Sequence, residues 1–197
     1  MASHLDPTAT PFLPAITTLP TLPDPALTST LDLLFEPSPD LHALALPTLR
    51  RISFDSYDHL IATLRDELLA IASNLSSDED RKPLHNILGS HPRLGEPKTE
   101  TLSAQSAVEQ ARLQGGSAEE AERLWGLNRE YERVFPGLRY VVFVNGRGRG
   151  EVMGDMRRRI ERGDAREEER EGIRAMCDIA ADRARKLLLA SQEAASA

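Results

Sequence analysis

Three short segments carry the side chains best suited to acid–base chemistry. The first is His91-Pro92-Arg93-Leu94-Gly95, preceded by Gly89-Ser90. Its imidazole belongs to the one side-chain type that ordinarily titrates near neutral pH, so it can give or take a proton in a reaction. Two glycines and a proline interrupt any regular element there and fix His91 in a loop or at a helix end. The second segment is Ser106-x-x-Glu109-Gln110. On a helix, residues three apart share a face, so the Ser106 hydroxyl and the Glu109 carboxylate can approach one ligand, with Gln110 bordering them. The third is Leu127-Asn128-x-x-Tyr131-x-x-x-Phe135, with the apolar run 140–144 behind it. Asn128 falls on the apolar face of that helix, where its amide needs a neighbouring backbone group or a ligand. Taken singly, a histidine is more often structural and a helical glutamate more often a surface residue. It is the three segments in this order that point to a site.

Two other candidates are weaker. Gly146-Arg147-Gly148-Arg149-Gly150 after a β-type stretch resembles a dinucleotide loop superficially, but the fingerprint wants its third glycine one place later. Glu151 stands there, and its charge would repel a pyrophosphate. Cys177, the single cysteine, lies inside a helical pattern with no activating base nearby and reads as a core thiol. One cysteine makes no intrachain disulfide, which is compatible with a reducing compartment.

The elements that must hold these segments are helical. Residues 1–24 mix Thr and Pro with no sustained period and read as an extended or disordered arm, and nine of the 13 prolines fall in the first quarter of the chain. Helices are expected at 26–35 and 40–50, separated by Glu36-Pro37-Ser38-Pro39, where proline removes a donor and restricts its predecessor. From Tyr57 the residues Leu60, Ile61, Leu64, Leu68 and Ile71 recur at three and four, one buried helix stripe. Asn74 to Pro83, with Ser76-Ser77-Asp78-Glu79-Asp80 inside it, reads as an exposed loop and helix start. A helix at 103–113 carries Ser106, Glu109 and Gln110. The next opens with Ser117 and Glu120 at capping-box spacing, with the stripe Ala121, Leu124, Asn128, Tyr131 and Phe135. After the β-type run 140–144, helices at about 151–162 and 166–190 close the chain. The whole reads as an all-α, single-domain bundle of about seven to nine helices, 25–190, with the Pro/Thr-rich arm before it and a flexible tail, 191–197.

Composition narrows the function. Hydrophobic residues make up 40% and charged residues 28% of 197 residues, an ordinary globular balance for one domain. A net charge of -7 argues against nucleic acid, because phosphate binding rests on clustered Lys and Arg. The arginine-rich stretch 147–174 is no exception: its nine arginines meet eight acids, the pattern of solvated helix faces laced with ion pairs. No apolar run approaches a membrane span and no signal peptide or peroxisomal address is seen. The expected partner is a small molecule, the expected compartment the cytoplasm.

In combination and in order, these segments resemble the OHCU decarboxylase family, which acts on 2-oxo-4-hydroxy-4-carboxy-5-ureidoimidazoline in urate breakdown. The resemblance runs from about Leu27 to Leu189 and includes Phe35-Glu36 and the late Ile179-Ala180-x-x-Arg183. It implies an all-helical fold, often a homodimer, with no metal and no organic cofactor; some members are peroxisomal. It places the catalytic histidine on His91 and its paired glutamate on Glu109. Substrate-binding positions fall on Pro92, Ser106 and Gln110, on Leu138, Arg139, Tyr140, Val141 and Val142 through their backbone, and on Arg183, an arginine able to meet the substrate's charge. Arg183 also lies at the margin of the stripe Met176, Ala180, Leu187, where a guanidinium needs an anion or the surface. Departures are Arg93 where an acid is common, Arg112 for a glycine, and Phe135-Pro136-Gly137-Leu138-Arg139-Tyr140 for a Phe-Gly-Phe-Pro-Phe pattern. The rival readings are a helical interaction protein that kept the fold without the chemistry, and a decarboxylase of a related ureido acid.

Overall fold

The computed structural model describes residues 12–95 and 117–196. Serines open four of its helices: Ser38, Ser56, Ser77 and Ser117 each accept, through Oγ, an amide N–H of the first turn (from Leu41, His59, Asp80 and Glu120) at 3.1–3.3 Å. Those amides have no partner within the helix, so the hydroxyls fix where it begins. The result is a 3-10 helix, Ile16–Thr21, then α1 (Asp24–Leu34), α2 (Pro39–Arg51), α3 (Tyr57–Asn74), α4 (Asp78–Gly89), α5 (Ala118–Val134), α6 (Arg149–Arg162) and α7 (Ala165–Ser196). The Pro37–Pro39 break separates α1 from α2, with Pro39 itself at the start of α2. The expected helix at 103–113 lies outside the described residues.

The long helix α7 is the spine. It packs against α1, α3 and α4, while α5 pairs with α6 and the 3-10 helix rests on α2. The stripe Leu60, Ile61, Leu64 and Leu68 faces the core, but its last member is Ala72; Ile71 is 36% exposed. At 100° per residue the face has drifted by one position over three turns, and the smaller residue is the one that is buried. On α5 the buried face is Leu124, Leu127, Asn128 and Tyr131, continued by Phe135, and Ala121 is exposed.

Three further expectations are corrected. Residues 140–144 form no strand: among the described residues there is none, and Tyr140, Val141 and Val142 are buried in an extended connection instead. β-propensity there reflects a fit to a buried surface, which helices supply as well as a sheet. Residues 12–22 are not a structureless arm: Leu13 and Leu19 are buried, Tyr57 Oη donates to the Pro14 carbonyl at 2.8 Å and Arg50 Nη1 to that of Pro20 at 2.9 Å. Finally, α7 runs on as helix through Ser196, in a Gln-Glu-Ala-Ala stretch of good helix formers.

A polar network joins α5, α6 and α7. Tyr131 Oη donates to Glu168 Oε1 at 2.6 Å, Arg159 reaches the same oxygen at 3.1 Å, and Tyr140 Oη donates to Asp155 at 2.6 Å. The Arg159 guanidinium also lies 5.0 Å from the centre of the Tyr140 ring. Nothing in the local sequence marks these charges as internal, since Glu168 and Arg159 read as members of a solvated face.

Candidate active site

His91 lies two residues beyond α4, and its place is set by the main chain around it. Ser90 ends the helix, with Oγ donating back to the Ile87 carbonyl at 2.7 Å, and the His91 amide reaches the Leu88 carbonyl at 3.4 Å. The α4 helix is anchored to α7 by Glu169, which pairs with Arg81 and, at 2.9 Å, with His85. Gly172 permits the approach: a Cβ there would meet Leu88 side-chain carbons at 3.3 Å. On the far side Arg139 Nη1 donates to the His91 carbonyl at 3.3 Å. Asn128 Nδ2 donates to the Leu94 carbonyl at 3.1 Å, so a backbone group satisfies the buried amide.

The backbone of His91 is therefore tied to α4 and to the connection after α5, while its side chain is left for other work. The residue is 5% exposed, and Nε2 is buried with no hydrogen-bond partner among the described residues. An orphaned polar atom in a native interior calls for an explanation, and a waiting ligand or proton is one. Burial pushes the imidazole pKa down to about 4; the nearby Glu36 carboxylate opposes that and the Arg183 guanidinium adds to it. Losing hydration disfavours the charged form more than Glu36 favours it, so burial favours the neutral imidazole.

Arg183, which sequence leaves divided between surface and buried anion, is buried. Nη2 donates to Glu36 Oε1 at 2.7 Å and Nη1 to the Phe35 carbonyl at 3.1 Å. The α1–α2 break thus delivers both a carbonyl and a carboxylate to one guanidinium on α7. Glu36 is the residue that sequence reading noticed without giving it a part. Its signal was an acid between an apolar Phe and a helix-stopping Pro, where a solvated side chain is not needed.

Of the remaining expected positions, Pro92 is half-buried beside His91. The side chains of Leu138, Tyr140, Val141 and Val142 are buried in the core, and Tyr140 is committed to Asp155, so this stretch has its main chain and half-buried Arg139 to offer a ligand. Ser106, Glu109 and Gln110 lie outside the described residues. Arg93, at the departure from the family pattern, forms a two-pronged contact with Glu132 on α5 at 2.5 and 3.0 Å, which holds the segment from outside. A cleft of about 230 Å³ beside Val142 and Phe143 is lined by Arg147, Arg159, Glu171 and Arg174 but does not include His91. Arg159, Glu171 and Arg174 are paired within the protein, and Arg147 donates to the Phe143 and Val144 carbonyls. No group of three or more His, Cys, Asp or Glu arranged to hold a metal occurs among the described residues, and none of the described helices is long and apolar enough to cross a membrane. Cys177 is a buried free thiol, its pKa pushed up to about 12 by burial, as befits a core residue.

A search of curated proteins finds no match to this chain. The family model described as OHCU decarboxylase matches residues 20–185, a span that takes in the α1–α2 break, the His91 segment and Arg183. The chain belongs to the OHCU decarboxylase family, and with that membership goes a decarboxylase role in urate degradation.

Proposed function

We propose that this protein decarboxylates 2-oxo-4-hydroxy-4-carboxy-5-ureidoimidazoline to (S)-allantoin, using no metal or organic cofactor, with His91 as the proton donor. The observation that carries the reading is the buried Nε2 of His91, without a hydrogen-bond partner among the described residues and under the electrostatic influence of the Arg183–Glu36 pair, in a chain of this family.

The substrate supplies its own electron sink. Its carboxylate leaves a carbon next to a ring imine, so as the carbon–carbon bond to the carboxylate breaks, the electron pair moves into the ring and onto the imine nitrogen. Carbon dioxide departs, the ring hydroxyl loses its proton as it becomes the carbonyl of allantoin, the former imine nitrogen takes one proton and the carbon bearing the ureido group takes another, so the reaction consumes one proton net, the one that His91 delivers. A proton delivered to one face of that carbon gives a single enantiomer. The protein's tasks are orientation, exclusion of water and that delivery.

Arg183 is the cation placed to attract the carboxylate. A substrate anion brought into this low-dielectric site raises the proton affinity of His91, as an opposite charge nearby does for any imidazole. Substrate binding thus loads the donor: His91 takes up a proton with the substrate and passes it on after carbon dioxide leaves. Glu109, Ser106 and Gln110 are assigned by resemblance, Glu109 to orient His91 or to accept the hydroxyl proton, the other two to hold the substrate. Pro92 and the main chain of residues 138–142 complete the pocket.

To test this, the unstable ureidoimidazoline is generated from urate with the two upstream enzymes, and circular dichroism follows optically active allantoin. An (S) signal growing faster than the spontaneous reaction supports the reading. Folded protein without acceleration overturns it and brings forward a non-catalytic role, or a related ureido acid as substrate.

A further inference from the structure

The His91 carbonyl lies just past the end of α4, and Arg139 Nη1 donates to it at 3.3 Å. Carbonyls at a helix C-terminus have no partner within the helix, and the helix dipole favours a cation there. Capping alone would ask only for an arginine on any mobile loop. Arg139 stands instead on a fixed base. Gly137 turns the chain at φ +87°, and the Leu138 amide closes that turn on the Phe135 carbonyl at 3.1 Å. On either side of half-buried Arg139, Leu138 and Tyr140 are buried. Tyr140 Oη donates to Asp155 at 2.6 Å and Arg159 Nη1 to the Val141 carbonyl at 3.4 Å, so α6 grips the connection that carries Arg139. Arg93 is engaged with Glu132, whereas the Arg139 side chain has the His91 carbonyl as its hydrogen-bond partner among the described residues.

We propose that Arg139 is a positioning residue of this site: it sets the separation between His91 and the main chain of residues 138–142. The inference rests on the decarboxylase reading above, in which that main chain completes the pocket and His91 delivers the proton. The ties from α5, Asn128 to the Leu94 carbonyl and Glu132 to Arg93, both act beyond Pro92. The His91 amide reaches only the end of its own helix, at the Leu88 carbonyl. Arg139 therefore joins the proton donor itself to the wall across the pocket. Delivering a proton to one face of a carbon demands that this separation be kept, since a misplacement of about 1 Å can cost about a hundredfold in rate.

The test compares Arg139→Leu and Arg139→Lys with the unaltered protein. Arg139→Leu keeps an apolar stem and removes the donors. It is expected to lower kcat by about tenfold while KM stays within about threefold, as loss of orientation dictates. With enzyme in excess over substrate, it is also expected to yield less (S)-allantoin per substrate consumed, because a displaced donor competes less well with protonation by water. Arg139→Lys keeps a charged donor and is expected to restore most of both. A role confined to capping α4 would lower stability and leave kcat per folded molecule and optical yield unmoved, and that result overturns the proposal. A raised KM with kcat and optical yield unchanged makes Arg139 a binding residue and overturns it too. Should Arg139→Leu fail to fold, Arg139→Gln, whose shorter stem leaves the His91 carbonyl out of reach, is judged by the same outcomes.

A second readout separates this from the failure of the decarboxylase reading. Amide hydrogen exchange is followed by NMR in the ligand-free protein. In Arg139→Leu the His91 amide is expected to exchange about fivefold faster, the equivalent of one hydrogen bond's net contribution, with the amide of Ala180 in the α7 core unchanged. Faster exchange in a protein that makes no (S)-allantoin keeps the clamp and discards the substrate; an unmoved His91 amide discards the clamp whatever the activity.

Discussion

Asn128, in the middle of α5, donates its side-chain amide to the carbonyl of Leu94 at 3.1 Å. That bond joins a helix face to the short segment carrying His91, in a place where neither group can turn to water: Asn128 is 3% and Leu94 7% exposed. Removing one partner of a buried hydrogen bond leaves the other unsatisfied, at a cost of about 1–3 kcal/mol. Asn128→Leu, similar in volume, is expected to lower stability by that amount in urea denaturation and to reduce kcat, because the His91 segment is loosened. Unchanged stability would mean that the Leu94 carbonyl finds another partner.

The acid side of the stability curve should carry His91's signature. Unfolded, its imidazole titrates near 6.5; folded, near 4. Between those values the unfolded chain holds a proton that the folded one does not, so stability falls as pH drops from about 6.5 towards 4 and the loss levels off below. The full effect of such a difference is about 3 kcal/mol. Glu169 adds a loss at still lower pH: burial raises its pKa, but the bonds from His85 and Arg81 override that and hold it below the ordinary carboxylate value. Its contribution is present above about 4.5 and disappears as pH falls through the folded value. Denaturation of the unaltered protein and of His91→Asn from pH 7 to 4 checks the histidine part: the variant is expected to lose less stability over that range, and identical slopes would contradict the assignment.

Gly137 stands at φ +87°, and a Cβ there would come within 2.8 Å of His85 Nδ1. The left-handed conformation costs a side-chain-bearing residue roughly 1–2 kcal/mol, and here the clash falls on a ring already held by Glu169. Gly137→Ala is expected to lower the thermal midpoint and to weaken the His85–Glu169 contact that anchors α4. A variant as stable as the parent, with an unshifted His85 resonance, would show that the turn relaxes freely.

Most of the helical frame was readable from the chain. Serine caps and the three-and-four recurrence of apolar residues are local signals, and Ser117 with Glu120 marked the start of α5 correctly. Locality is also the limit. Glu36 and Arg183 are separated by 147 residues, and each reads alone as a charge on a helix margin or in a loop. Their meeting depends on how α1 and α7 cross, which no short-range pattern encodes. The same holds for Glu168 with Tyr131 and for the environment of His91, whose burial favours the neutral imidazole although its residue type ordinarily titrates near neutral pH. At 140–144 the β-branched and aromatic residues indicated a buried extended stretch and, without a neighbouring strand, nothing more. The positions of Ser106, Glu109 and Gln110 lie outside the described residues and stand on resemblance.

The most direct test of the account is the circular dichroism time course of allantoin formation with the unaltered protein and with His91→Asn, which cannot carry the proton but keeps a polar side chain of modest size. The account predicts rapid (S)-allantoin with the former and, with a folded His91→Asn, only the slow spontaneous reaction giving no net optical signal. An (S) signal from His91→Asn at the rate of the unaltered protein would contradict it.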